Sequence, residues 1–100
     1  MVKLSVLYGP PDDPATFEDY YGSTHVPLAA KIPDVARFEA SLVIGTPDGS
    51  PAAYHRIAEV WFESAAVLDA SMGSAEGQAA VADIPNFASG GATVVISTID

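Results

Sequence analysis

One hundred residues with 49% apolar side chains, 17% charged side chains and a formal net charge of −9 fit one domain with a packed interior and leave no room for a second core. The four basic residues, Lys3, Lys31, Arg37 and Arg56, are scattered, so no patch exists to displace counterions from nucleic acid or to hold an anionic membrane. The chain has no cysteine, which excludes disulfides, thiolate metal ligands and cysteine nucleophiles.

The N-terminus alternates, with Val2, Leu4, Val6 and Tyr8 on one face and Lys3, Ser5 and Leu7 on the other. That pattern predicts a strand, not the long apolar stretch of a signal peptide, and no segment is apolar enough to cross a membrane, so the expected compartment is the cytoplasm. Gly9 to Pro14 is a loop. Asp13 is placed to accept from the first free amides of a helix, and Pro14 suits its first turn. The helix is expected from Ala15 to about Ile32, with Phe17, Tyr20, Tyr21, Thr24 and Leu28 as its apolar stripe. Gly22 and Pro27 predict a bend near His25.

Pro33-Asp34 ends the helix, and Val35 to Thr46 reads as a long strand. The turn Pro47-Asp48-Gly49-Ser50-Pro51 leads to a partner strand, Ala53 to Phe62. On that strand Tyr54, Arg56, Ala58, Val60 and Phe62 share one face, and His55, Ile57, Glu59 and Trp61 the other. Ser64 caps a short helix through Met72, and a second short helix runs from Ala75 to Val81. Asp83 to Phe87 reads as irregular. Ala92 to Ile99 is nearly all β-branched or apolar, which suits a strand covered on both sides.

The order β-α-β-β-α-β predicts an α+β, ferredoxin-like domain: a four-stranded antiparallel sheet with helices on one face. The other face, carrying Trp61 and Ile57, calls for a cover, most simply a second copy of the chain. Among reactive groups His25 stands out, because an imidazole exchanges protons near neutrality without extreme tuning. The competing reading is a histidine that hydrogen-bonds a carbonyl freed by Pro27 and merely closes the helix. Glu59 is expected on the sheet face with His55 and Trp61, either partly desolvated and paired with His25 or in a salt bridge with Arg37 or Lys3. Tyr20 and Tyr21 are expected either to donate phenolic hydrogen bonds to an oxygenated substrate or to serve as core aromatics with a wet edge. Trp61 is assigned to a pocket wall or a dimer seam, and His55 to a ligand contact or the exposed hairpin. Neither histidine has the spacing of a metal site, and no cofactor is called for.

The segment Phe17-Glu18-Asp19-Tyr20-Tyr21-Gly22-Ser23-Thr24-His25-Val26-Pro27-Leu28 resembles the F-x-x-Y-Y-x-x-x-H-x-P-L pattern of EthD-like proteins, a family named for ethyl tert-butyl ether degradation. Lys31-Ile32-Pro33 is similar to the family's K-I-P-G-like helix end, with Asp34 where glycine often stands. The resemblance implies that residues 1–100 form a single domain of the dimeric α/β-barrel superfamily, a homodimer closing two sheets into a barrel. It implies a cleft between sheet and first helix for a small hydrophobic, cyclic or carbonyl-bearing molecule, in a catabolic setting. Two roles fit. In the first, His25 with Glu59 performs cofactor-independent acid–base chemistry of isomerase, cyclase or monooxygenase type, with Tyr21, Trp61, His55 and Tyr20 lining the substrate. In the second, the protein is a non-catalytic accessory that binds the ligand.

Overall fold

The computed structural model describes all residues, Met1–Asp100. The alternating N-terminal segment forms β1 (Val2–Tyr8), and the chain continues through α1 (Pro14–Tyr20), a π-helical turn (Tyr21–His25) and α2 (Val26–Ala29). Next come β2 (Arg37–Leu42), β3 (Arg56–Phe62), α3 (Ala65–Gly73), α4 (Ala75–Asp83), a 3-10 turn (Ile84–Asn86) and β4 (Ala92–Thr98). The four strands lie in the order β2-β3-β1-β4, every pair antiparallel. This is the ferredoxin-like arrangement expected from the element order. A short axis of only 17 Å leaves room for one sheet and one helical layer.

The sheet register sets the two faces. Leu4 opposes Val60, and Val6 opposes Ala58 on one side and Val94 on the other. Those residues face the helices, and Leu4, Val6, Tyr8, Ala58, Val60 and Phe62 join Phe17, Tyr21, Leu68 and Phe87 in the buried core. Tyr8, Phe17, Tyr21 and Phe87 form an aromatic cluster with ring centroids 5.2–5.9 Å apart. Burying each such ring stabilises the fold by roughly 1.5–3 kcal/mol, with edge-to-face geometry adding to it.

Four sequence expectations need correction. The first helix is regular only to Tyr20, and its stripe runs Phe17, Tyr21, His25. Thr24 is exposed, while Tyr20 and Leu28 are half-buried. The two middle strands are shorter than expected, because Ile44 to Tyr54 forms a long arm beyond the bond from the Val43 amide to the His55 carbonyl. The second of the two short helices extends past Val81 and includes Asp83. Finally, β4 is not covered on both sides: it is an edge strand, and six of its seven residues are exposed. Residues of β2, at the other edge, are all exposed.

Candidate functional site

The π turn positions His25. Asp13 accepts from the Ala15 and Thr16 amides at 3.1 and 3.4 Å, and Pro14 opens the helix behind it. Two residues after His25, Pro27 has no amide hydrogen, so a regular ladder would leave a carbonyl of the preceding turn without its donor. The helix widens there instead, and the Val26 amide donates to the Tyr21 carbonyl five residues back. A wider turn brings Tyr21 and His25 onto one inward face. Their rings stack at 5.6 Å, with Phe87 against the imidazole at 4.7 Å.

His25 is 6% exposed and Asp83 7%. The Nδ1 atom of His25 lies 3.0 Å from Oδ2 of Asp83. The other carboxylate oxygen accepts from the Tyr20 hydroxyl at 2.6 Å and from the Asn86 amide at 3.0 Å. Burial pushes the Asp83 carboxyl up, but donation from Tyr20, Asn86 and His25 outweighs it and holds the group below the usual carboxylate range. An ionised carboxylate only accepts, so Nδ1 carries the hydrogen and the lone pair of a neutral ring is assigned to Nε2. The second shared donor has its own consequence: its bond to Asp83, followed by burial, raises the Tyr20 phenol above its ordinary range.

His25 also lines a cavity of about 230 Å³ between the sheet and the helices. Its walls are apolar and aromatic, Leu4, Val6, Tyr8, Tyr21 and Val60 among them, and His25 is the only lining residue with a basic nitrogen. Behind Tyr20 and Phe87 lies a second, more polar cleft of about 280 Å³, edged by Asp12, Asp13 and Asn86. The Asp83 network therefore stands between an apolar chamber and a wet one. No three His, Asp or Glu side chains converge as a metal-ligand set.

The model of the EthD domain family matches residues 9–91. The chain belongs to the EthD family. It is 42% identical over 97 residues, 97% of this chain and 93% of the other, to an uncharacterized 11.0 kDa protein from the thcB-thcC intergenic region of Rhodococcus erythropolis. A crystal structure of an EthD family protein from Bacillus halodurans superposes with a TM-score of 0.94 at 31% identity, covering 100% of this chain and 99% of that one. A dimeric ferredoxin-like protein of unknown function from Thermobifida fusca shares the fold, with a TM-score of 0.71 at 17% identity over 98% and 90% of the two chains.

The positions of the EthD-like motif gather around Asp83. Phe17 and Tyr21 supply aromatic core, Tyr20 and His25 bond the carboxylate, and Pro27 accompanies the π turn. Of the residues singled out from sequence, His25 and Tyr21 meet at the cavity, whereas Tyr20 serves Asp83. Glu59 does not pair with His25. It lies on the opposite face of the sheet, bound to Lys3 at 3.2 Å, because it alternates with the inward Ala58 and Val60. Trp61 shares that face, with Lys3 and Arg37 over its ring at 5.4 and 5.2 Å. His55 leaves the strand before the pleat begins and turns to the helices instead. Its Nε2 meets Glu18 at 3.0 Å and its ring edge packs on Phe17. Glu18 also takes a bidentate contact from Arg56, whose guanidinium holds this carboxyl below its usual range. This cluster joins α1 to β3 and is fully paired. Asp83 and Asn86 escaped the sequence reading: they lie 58 and 61 positions from His25, in a segment read as irregular, and only a lone acid among alanines marked the place.

Proposed function

We propose that this EthD-family chain takes a small hydrophobic molecule into the cavity between sheet and helices, where His25 acts as a general base through Nε2. The observation that carries this reading is the buried His25–Asp83 pair bordering an apolar chamber. Asp83 takes the place expected of Glu59: it fixes the tautomer and stabilises the imidazolium that forms, as the acid of a His–Asp pair does in acyl-transfer enzymes. The fitting chemistry is removal and return of a proton beside a carbonyl, common to cofactor-independent isomerisation, cyclisation and oxygenation through a carbanion. Apolar walls favour a ligand that is uncharged when it enters, because no fixed charge lines the chamber to replace lost water.

The working form proposed is a homodimer in the cytoplasm, its uncovered sheet face packed on a second copy. No helix is long and apolar enough to cross a membrane.

2-Tetralone, a neutral bicyclic ketone with acidic hydrogens beside its carbonyl, tests the reading. The protein is expected to bind it and to speed exchange of those hydrogens for deuterium in D₂O, read by proton NMR. His25→Gln is expected to lose the catalysed exchange, a drop of about 100-fold or more for a general base. Binding with no exchange in the wild type would instead establish the accessory, ligand-holding role.

A further inference from the structure

The widened turn does more than bring His25 inward. Tyr20 and His25 stand five positions apart, and at about 100° per residue a regular helix sets such a pair roughly 140° apart around its axis, facing different neighbours. A turn closed over five residues, as the bond from the Val26 amide to the Tyr21 carbonyl closes it, brings side chains at that spacing onto one side. Both reach the same carboxylate: the Tyr20 hydroxyl meets Oδ1 of Asp83 at 2.6 Å, and Nδ1 of His25 meets Oδ2 at 3.0 Å.

An aspartate carboxyl turns easily about its last torsion, whose preferences are broad and two-fold. A single bond to the imidazole would leave that torsion soft. Here Oδ1 takes two donors, the Tyr20 hydroxyl and the Asn86 amide at 3.0 Å, so Oδ2 is the oxygen left for His25. The Tyr20 bond has the length of a charge-assisted contact to a carboxylate, the stronger class. Stacking on Phe87 at 5.5 Å fixes its ring. Burial pushes the Asp83 carboxyl up, and of the three donors that hold it low Tyr20 acts most strongly.

Tyr20 itself borders the polar cleft and is absent from the walls of the apolar chamber. Resting on the base role of His25, we propose that Tyr20 is a positioning residue of this site, not a substrate contact. Assisted by Asn86, it locks Oδ1 of Asp83 so that Oδ2 stays aimed at Nδ1 of His25 and the lone pair stays on Nε2. The π turn is the part of the backbone that lets one helix supply both the base and the residue that aims its partner. Tyr20 acts on the ligand only through Asp83 and His25, so its loss is felt in turnover and not in binding.

The test follows 2-tetralone exchange and the His25 tautomer, the latter by long-range ¹⁵N–¹H spectra, in wild type, Tyr20→Phe, Asn86→Ala and the double variant. Tyr20→Phe keeps the ring on Phe87 and removes only the donor. It is expected to lower kcat about tenfold, the size of one hydrogen bond to a charged group, with KM for 2-tetralone unchanged. Its imidazole is expected to populate both tautomers where the wild type holds hydrogen on Nδ1 alone. Asn86→Ala is expected to act in the same direction and more weakly, and it carries the test if Tyr20→Phe fails to fold. The double variant is expected to lose more than either. A Tyr20→Phe protein with wild-type kcat and a single tautomer, changed only in melting temperature, would overturn the proposal by showing a merely structural tie. A raised KM at unchanged kcat would also overturn it, by making Tyr20 a ligand contact. If the wild type exchanges nothing, the base role falls, and the tautomers still decide: a mixture in Tyr20→Phe upholds the positioning role, and hydrogen on Nδ1 alone overturns it.

Discussion

An imidazole becomes a directed base when one nitrogen is committed elsewhere, and Asp83 makes that commitment for His25. The pairing makes a prediction about tautomer and another about acid. In wild type, long-range ¹⁵N–¹H spectra are expected to show hydrogen on Nδ1. In Asp83→Asn, the new amide can donate as well as accept, so the ring is expected to populate both tautomers and the catalysed exchange of 2-tetralone to fall by about 100-fold or more. The acid prediction follows from linkage. Asp83 has a folded-state pKa below its ordinary 3.8, so its contribution to stability is present above that value and is lost as pH falls through the lower folded-state value. The melting-temperature gap between wild type and Asp83→Asn is therefore expected to close as pH falls below 3.8. Glu18, also held low by Arg56, is present in both proteins and cancels. A gap that persisted undiminished below 3.8 would show that Asp83 is not stabilised as a carboxylate.

At the scale of elements, local backbone demands explain two positions. Asp34, just after the first helical region, has φ of 58°, in the left-handed region that glycine adopts without strain. EthD-like proteins often carry glycine there, and the geometry supplies the reason. Asp34→Gly is expected to stabilise the protein by about 0.5 kcal/mol, the relief of strain less the added freedom of the unfolded chain, seen as a small rise in melting temperature. Gly77 is the opposite case. A Cβ there would sit 2.4 Å from the Ser71 carbonyl oxygen and 2.7 Å from Met72, so the corner between α3 and α4 has no space for it. Gly77→Ala is expected to cost about 2 kcal/mol and to lower the melting temperature by about 10 °C. That corner aims α4, and α4 ends on Asp83.

Sequence made the elements legible because alternation, caps and turn residues are local signals. Val2 to Tyr8, Asp13-Pro14 and Ser64 act as those signals indicate. It did not reveal which carboxylate meets His25. Alternation puts Glu59 with Trp61 on the face away from Ala58 and Val60, and it stays there, bound to Lys3; that the first helix packs on the opposite face, out of reach of Glu59, has no local signal. Asp83 reaches His25 only because two short helices turn at Ser74 with Gly77 of the second packed on the end of the first, a packing event with no periodic signature. The bend near Pro27 was readable, whereas its effect was not: a widened turn changes which residues look inward, moving Thr24 out and His25 in.

Over the whole molecule, only 17 of 100 residues are buried, and the sheet face away from the helices carries Leu7, Ile57, Trp61 and Val95 with nothing upon it. The charges on this face compensate one another. Glu39 opposes Glu59 in the ladder, but Arg37 bonds the first at 2.5 Å and Lys3 the second at 3.2 Å. The surplus that makes the net charge −9 therefore lies off this face. A second copy meeting here would bury apolar surface without leaving an unpaired charge, the condition under which a buried ion pair is tolerated. Such a dimer has a distinctive salt response. Interchain ion pairs weaken as salt screens them, whereas apolar contact between two acidic chains is undiminished or tightens as their mutual repulsion is screened. Sedimentation of the wild type is expected to show a dimer at micromolar concentration whose dissociation constant does not rise between 0.05 and 0.5 M salt, the range, on the order of a tenfold change, over which the screening length shortens about threefold. Ile57→Glu places an unpaired carboxylate in the middle of that face, and is expected to give a folded monomer that keeps the circular dichroism of the wild type. A wild-type monomer, or a dimer dispersed by salt, would show that this face is not closed by an apolar contact with its own copy.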